Sequence, residues 1–257
     1  MNDLILNEQN YYSLESNQAY WSVSQYKDFM RCESMAMAKI RGEYEQPMTR
    51  AMLVGSFVDR YFEGTLPQFI EEHPELFTLK RQLRAEFRRA YEIINCIEKE
   101  RKFMASMSGE KQKILTFEMF GVLWKMKMDS FAPKRFIVDL KVVASIDKIA
   151  DYHYENQGAV YQYGAEYNGY GRLPFYLAMV EKIRLENKKT GEIKYPTHLR
   201  QIPDSELDKA LLEIGENMPH FINVKMGLEE PRRCEKCAWC KMTRELRVRN
   251  YMELVEG

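Results

Sequence analysis

The sequence predicts an α/β fold with a central mixed β-sheet flanked by helices. Apolar residues recur at helical spacing from about residue 20 to about 107 and again near the C-terminal end. The middle of the chain carries alternating or continuously apolar stretches of strand length. A helix-like segment separates two of these stretches, so strands have helices before, between and after them. The 257 residues are 45% hydrophobic and 12% aromatic, enough to bury a substantial core and to exclude global disorder. They read as a single domain over 1–257, with an N-terminal helical region at about 20–107 and a C-terminal cysteine cluster at 234–240.

Residues 1–20 are polar and aromatic without a period and read as an arm. Ser22 or Ser24 can cap a helix to about Ile40, with Tyr26, Phe29 and Met30 on one face. A second helix covers 50–63, where Met52, Val54, Phe57, Val58, Tyr61 and Phe62 are apolar. A long charged helix is expected over 79–104 on the row Leu83, Phe87, Tyr91 and Ile94. Residues 114–131 then read as two strands joined near Phe120-Gly121. Lys125, Lys127 and Asp129 share one parity there, and Trp124, Met126 and Met128 the other. Ala132-Pro-Lys-Arg135 is a turn, and FIVDLKVV (136–143) is the next strand. A helix over 155–168, a buried strand over 173–185, a hairpin turn at Lys188–Gly191 and a last helix over 204–225 complete the order.

Lys plus Arg and Asp plus Glu are both 38, so any basic surface for nucleic acid must be local. No basic segment followed by an apolar stretch opens the chain, and no run approaches the ~18 apolar residues of a membrane helix. A cytoplasmic protein with no membrane partner is expected.

FIVDLKVV places Asp139 and Lys141 on one face of an apolar strand. Desolvating two charges there is costly unless each has a partner. Glu186-Asn-Lys188 and Glu192-Ile-Lys194 match the same three-residue pattern, but both flank a polar hairpin. Asp129 lies across the short Ala132–Arg135 turn, close enough for its carboxylate to approach that of Asp139. Two adjacent carboxylates favour a cation between them, and hard oxygen ligands suit Mg²⁺ or Mn²⁺. A neighbouring lysine can orient or activate a metal-bound water. The competing reading is a buried ion pair.

These residues sit in a longer series that resembles the PD-(D/E)xK nucleases, in the RecB-type branch that includes exonuclease VIII and phage recombination exonucleases. The series is GVLWKMKMD (121–129), FIVDLK (136–141), YENQGAVY (154–161) and LPFYLAMVEK (173–182), with GSFVDRYFE (55–63) upstream. Gln157 and Tyr161 are similar to the branch's Gln-x3-Tyr helix, and four-residue spacing puts them on one helical face. In GSFVDRYFE, Asp59 stands where the branch commonly has a metal-binding His; an Asp can also hold Mg²⁺ or Mn²⁺. Glu63 lies one turn further on, and Glu118 is a weaker candidate from the first strand.

The resemblance implies a restriction-endonuclease-like core and a Mg²⁺/Mn²⁺-dependent DNA exonuclease of phage-type or bacterial recombination. Asp129 and Asp139 hold metal on this reading, with Asp59 and the Leu140 carbonyl. Lys141 handles the attacking water, while Gln157 and Tyr161 fix the DNA backbone. Duplex DNA ends are the implied substrate, a single-strand annealing protein a partner, and a homo-oligomer the assembly. A nuclease fold without turnover, serving as a metal-stapled DNA-binding or assembly protein, is the alternative.

Cys234, Cys237 and Cys240 form a Cys-x2-Cys-x2-Cys cluster in a chain with only five cysteines. Metal ligation is the leading reading, with Cys32 as the fourth ligand. The layout is similar to RecB-type nucleases in which a 4Fe–4S cluster joins one early cysteine to three late ones, including CRISPR-adaptation nucleases. A CRISPR-adaptation-like end-processing nuclease is therefore a further reading, and Zn²⁺ is the alternative metal. Cys96 reads as a buried small hydrophobe, and the four histidines show no ligand spacing. Lys125, Lys127, Arg232 and Arg233 are candidate phosphate contacts or simply solvated charges.

Overall fold

The computed structural model describes residues 4–147 and 152–244; residues 1–3 of the expected arm lie outside them. In chain order the helices and strands are α1 (Leu14–Ala19), α2 (Val23–Arg31), α3 (Glu33–Arg41), α4 (Arg50–Glu63), α5 (Leu66–Glu72), α6 (Ala85–Lys99), α7 (Arg101–Ser106), β1 (Lys113–Met119), β2 (Val122–Met128), β3 (Ser130–Ala132), β4 (Phe136–Val143), α8 (Tyr154–Tyr167), β5 (Phe175–Glu181), β6 (Leu185–Glu186), β7 (Ile193–Lys194), β8 (Thr197–Gln201), α9 (Asp204–Met226) and α10 (Ala238–Met242). The chain divides into two compact units. One joins the residues up to Val23 with Gln46–Asn217; the other joins Ser24–Glu45 with the residues from Met218 on.

The first unit is built on a four-stranded sheet of order β3-β4-β5-β8. The central pair β4 and β5 is parallel, and the outer strands β3 and β8 run antiparallel to it. A parallel pair needs a crossover, and α8 lies between β4 and β5 in the chain. Alternation along β4 sends Val138 and Leu140 into a core with Phe57 and Val58 of α4 and Phe87, Ile94 and Ile97 of α6. Asp139 and Lys141 consequently point the other way. The β1–β2 hairpin turns over Phe120 (φ 56) and Gly121 (φ 73), the two positive φ values that a tight two-residue turn demands.

Two glycines let α8 lie close to the strands. A Cβ on Gly158 would sit 2.6 Å from the Phe175 ring, and one on Gly164 would sit 2.5 Å from the Phe117 ring. Larger side chains would push the helix, and with it Gln157 and Tyr161, away from β4. The bounds of α4 are set by the Thr49 hydroxyl, which accepts from the Met52 amide at 3.2 Å, and by Gly64 in the left-handed region at φ 82.

Several expected elements are shorter or divided. The helix expected over 79–104 begins only at Ala85, because Leu83 first bridges to Phe77, and it breaks at Glu100. The strand expected over 173–185 stops at Glu181, beyond which Ile183 and Leu185 are exposed. The single helix expected to Ile40 is two, separated at Cys32, whose backbone is extended (φ −170, ψ 107). Over its described residues the arm contains α1 and buries Tyr11, Ser16 and Tyr20.

In the second unit, Tyr26 and Phe29 of α2 pack on Phe221 at ring separations of 5.8 and 5.3 Å. Glu33 accepts from the Arg232 amide at 2.8 Å and pairs with His220 at 2.9 Å, which fixes the chain leading to the cysteines.

Candidate active site and cysteine centre

The β3–β4 register pairs Ser130 with Val138, so one further step sets Asp129 opposite Asp139. The Leu140 amide donates to Asp129 Oδ2 at 2.8 Å, and Gln112 Nε2 lies 3.4 Å from Oδ1. Asp139 is 1% exposed. Its Oδ1 accepts from Gln157 Nε2 at 2.6 Å, and its Oδ2 pairs with Lys141 Nζ at 2.5 Å. Gln157 Nε2 also donates to the Tyr161 hydroxyl at 3.1 Å, and that hydroxyl donates to the Lys127 carbonyl at 2.8 Å. The chain of bonds runs from β2 through α8 to β4 and fixes the Asp139 carboxylate in one orientation.

Asp59 arrives from α4. It lines one recess with Phe62, Glu63, Met107, Gln112, Asp129 and Leu140. Its Oδ1 is buried with no hydrogen-bond partner among the described residues. Burial and the neighbouring charges of Asp129, Asp139 and Glu63 hold its carboxyl well above the usual range, against the pull of Lys141. Burial alone would lower the Lys141 ammonium, but Asp139, Asp129 and Asp59 outweigh it and hold that ammonium above the ordinary lysine value. Three carboxylates thus share one cation. A buried, unpartnered carboxylate oxygen beside two further carboxylates is a donor set suited to a divalent ion. Among the described residues these oxygens do not converge as tightly as the thiols described below.

The structure thus brings Asp59, Asp129, Asp139, Leu140, Lys141, Gln157 and Tyr161 together. Glu63 lines the recess but spends its carboxylate on Arg60 at 2.8 Å and Thr65 at 3.2 Å. Glu118 is exposed and is not among the residues around the three carboxylates. Lys125 is neither a phosphate contact nor solvated. It is 2% exposed, and its Nζ donates to the Tyr11 carbonyl, Ser16 Oγ and Asn17 Oδ1. Burial pushes its ammonium down to about 8. Sequence reasoning missed Gln112, which sits in a turn with no pattern to mark it, and Tyr154, whose ring centroid lies 5.8 Å from Lys141 Nζ.

In the second unit, Cys32, Cys234, Cys237 and Cys240 place their sulfurs within 4.8 Å of one another, the one such group of possible metal ligands among the described residues. Cys32 Sγ and Cys240 Sγ are 3.5 Å apart. Amides of Lys236 and Cys237 point at Cys234 Sγ from 3.5 and 3.3 Å and lower its thiol to about 6. Burial raises the Cys32 thiol to about 12. A bound cation would offset that cost, since metal ligation requires the thiolate. Arg233 is occupied within this unit, donating to the Cys240 carbonyl at 2.8 Å and Thr243 Oγ1 at 3.0 Å. Cys96 is half-buried and directs its thiol at the Ile193 carbonyl.

The raised carboxyl of Asp59 has a consequence for stability. Between the ordinary carboxylate pKa and its raised folded value, the folded state holds more protons than the unfolded one. Stability therefore falls as pH rises through that window. Asp59→Asn is expected to raise the urea midpoint of the metal-free protein at pH 7 by a free energy on the order of 1 kcal/mol. The gain should fade below about pH 4, where the carboxyl is protonated in both states. An unchanged or lowered midpoint at pH 7 would contradict the assignment.

Among curated proteins, nothing matches the chain. A solved structure described as a "Putative exonuclease" from Eubacterium rectale is 42% identical, with 95% of each chain covered and a TM-score of 0.89. A further solved structure, that of SSO0001, is 10% identical over 92% of this chain and 95% of the other, at a TM-score of 0.35. The mixed sheet flanked by helices is the restriction-endonuclease-like fold expected from the sequence. The model of a family described as a PDDEXK-like domain of unknown function (DUF3799) matches residues 22–243, and the chain belongs to that family.

Proposed function

We propose that the protein is a nuclease, a divalent-metal-dependent deoxyribonuclease acting at DNA ends. The observation that carries this reading is the convergence of Asp59, Asp129 and Asp139 around Lys141, with one buried Asp59 oxygen left without a hydrogen-bond partner. Asp59, Asp129, Asp139 and the Leu140 carbonyl would hold Mg²⁺ or Mn²⁺. Such an ion supplies charge neutralisation at the phosphate and a bound water of lowered pKa. Lys141 Nζ lies 2.5 Å from Asp139 Oδ2, where it can donate hydrogen bonds that place the attacking water and the phosphate. Gln157 and Tyr161 are engaged with Asp139 and the Lys127 carbonyl, which favours orienting the carboxylate over gripping DNA. In the reaction a water oxygen bonds to phosphorus as the bond to the leaving sugar oxygen breaks. The water gives up a proton and the leaving oxygen gains one.

The likeness to a protein described as a "Putative exonuclease" supports action from an end. Placement in phage-type or bacterial recombination, a single-strand annealing partner and a homo-oligomer rest on the sequence resemblance. Two centres fit the cysteines, each on its own observation. The Cys-x2-Cys-x2-Cys run is that of ferredoxin-type 4Fe–4S ligation. Four sulfurs within 4.8 Å suit one tetrahedral ion such as Zn²⁺, with Zn–S bonds of about 2.3 Å. Thiolates on a cubane bind four different irons and stand further apart.

With Mn²⁺, end-labelled linear DNA should be degraded and closed circular DNA spared. Asp139→Ala and Lys141→Ala should each lower the rate by about 100-fold or more. Degradation that persists in both variants would overturn the site. The centre in the second unit is checked by elemental analysis of the purified protein. Iron with acid-labile sulfide and a brown colour mark the cluster, and about one zinc per colourless chain marks the single ion. Either metal should be lost in Cys240→Ala, and neither metal in the wild type would contradict ligation.

A further inference from the structure

Two tyrosines ahead of and within the first turn of α8 take no part in the scheme above. Tyr152 and Tyr154 stack at 5.6 Å between centroids with 21° between planes. Residues two apart normally point to opposite sides of an extended chain. Here His153 lies in the left-handed region (φ 48), which brings both rings to one side. Backbone held in that region by a residue other than glycine recurs at functional sites. The inner ring, Tyr154, is half-buried and carries the Lys141 ammonium 5.8 Å from its centroid. Tyr152, at the outer end, is 47% exposed as a residue. Lysine, ring and ring thus form a short column that starts at the candidate catalytic amine and ends at the half-exposed Tyr152.

We propose that Tyr152 and Tyr154 form a stacking subsite that takes the unpaired or strand-terminal base of the nucleotide whose phosphate lies at Lys141. The proposal deepens the nuclease reading and rests on it for the identity of the ligand as DNA. The chemistry selects that ligand in two ways. Aromatic rings bind any nucleobase through its π-face, so the subsite discriminates by strand state and not by sequence. A base inside a duplex has both faces covered by its neighbours, whereas a terminal or single-stranded base offers one. The column therefore favours ends and frayed strands over duplex interiors, and the exposed rim of Tyr152 is where such a base can lie.

The test uses the full chain and DNA carrying the fluorescent base 2-aminopurine, in Ca²⁺ to hold DNA without turnover. Stacking on Tyr152 should quench a strand-terminal 2-aminopurine and leave one in the duplex interior unchanged. Tyr152→Ala should abolish the quenching and weaken binding of single-stranded or frayed-end DNA about five- to hundredfold. Tyr152→Phe should keep both, since the ring and not the hydroxyl carries the contact. Circular dichroism of the variants checks folding. Wild-type DNA hydrolysis with unaltered quenching and affinity in Tyr152→Ala would overturn the subsite and leave the nuclease reading standing. A wild type that hydrolyses no DNA would overturn the nuclease reading, and one that also fails to bind the probe would take the subsite with it. Equal quenching at terminal and interior positions would also overturn the proposal.

Discussion

The arrangement at the end of β4 depends on a charge imbalance: three carboxylates, those of Asp59, Asp129 and Asp139, meet around the single ammonium of Lys141. Like charges that close to one another and partly removed from water repel, and the protein meets this with one lysine and with one carboxyl, that of Asp59, whose proton affinity is raised. Both responses leave a residual cost. A fold does not maintain such crowding for stability, because an apolar replacement would pack at less expense. A divalent cation would relieve the imbalance, and that is the physical argument for the metal-dependent chemistry proposed above.

Each carboxylate comes from a separate element, and each element is fixed for a different reason. Asp139 is set by strand alternation, Asp129 by the β3–β4 register, and Asp59 by a helix with a polar cap at one end and a glycine at the other. Gln157 reaches Asp139 because α8 lies close enough to touch the Phe175 and Phe117 rings through glycine. The site is therefore as rigid as the packing between helix and sheet, which is what a preorganised hydrolytic centre needs.

Much of this was legible from local patterns. Period-two alternation in FIVDLKVV set Asp139 and Lys141 on one face, and the bounds of α4 followed from its apolar run. The family resemblance added Asp59, Gln157 and Tyr161, which no local rule would have joined. Lys125 shows where local reading ends. Parity grouped it with Lys127 and Asp129 on a polar face, but residues more than a hundred positions away cover it and satisfy its amine. Gln112 was hidden for the same reason, since its partner Asp129 lies across the hairpin. The break at Cys32 was also unreadable. The helical period runs through it, and only the gathering of four thiols shows why an extended residue is useful there.

The two units offer donor sets of different chemistry: carboxylate oxygens under mutual repulsion in one, thiols beside backbone amides in the other. The central claim concerns the first and can be tested without DNA. Titrating Mn²⁺ into the wild-type protein and into Asp129→Asn and Asp139→Asn, followed by calorimetry or by loss of the free Mn²⁺ paramagnetic signal, reports the site directly. The account predicts a saturable wild-type site weakened at least about tenfold in each variant. Equal Mn²⁺ affinity in all three proteins would contradict it.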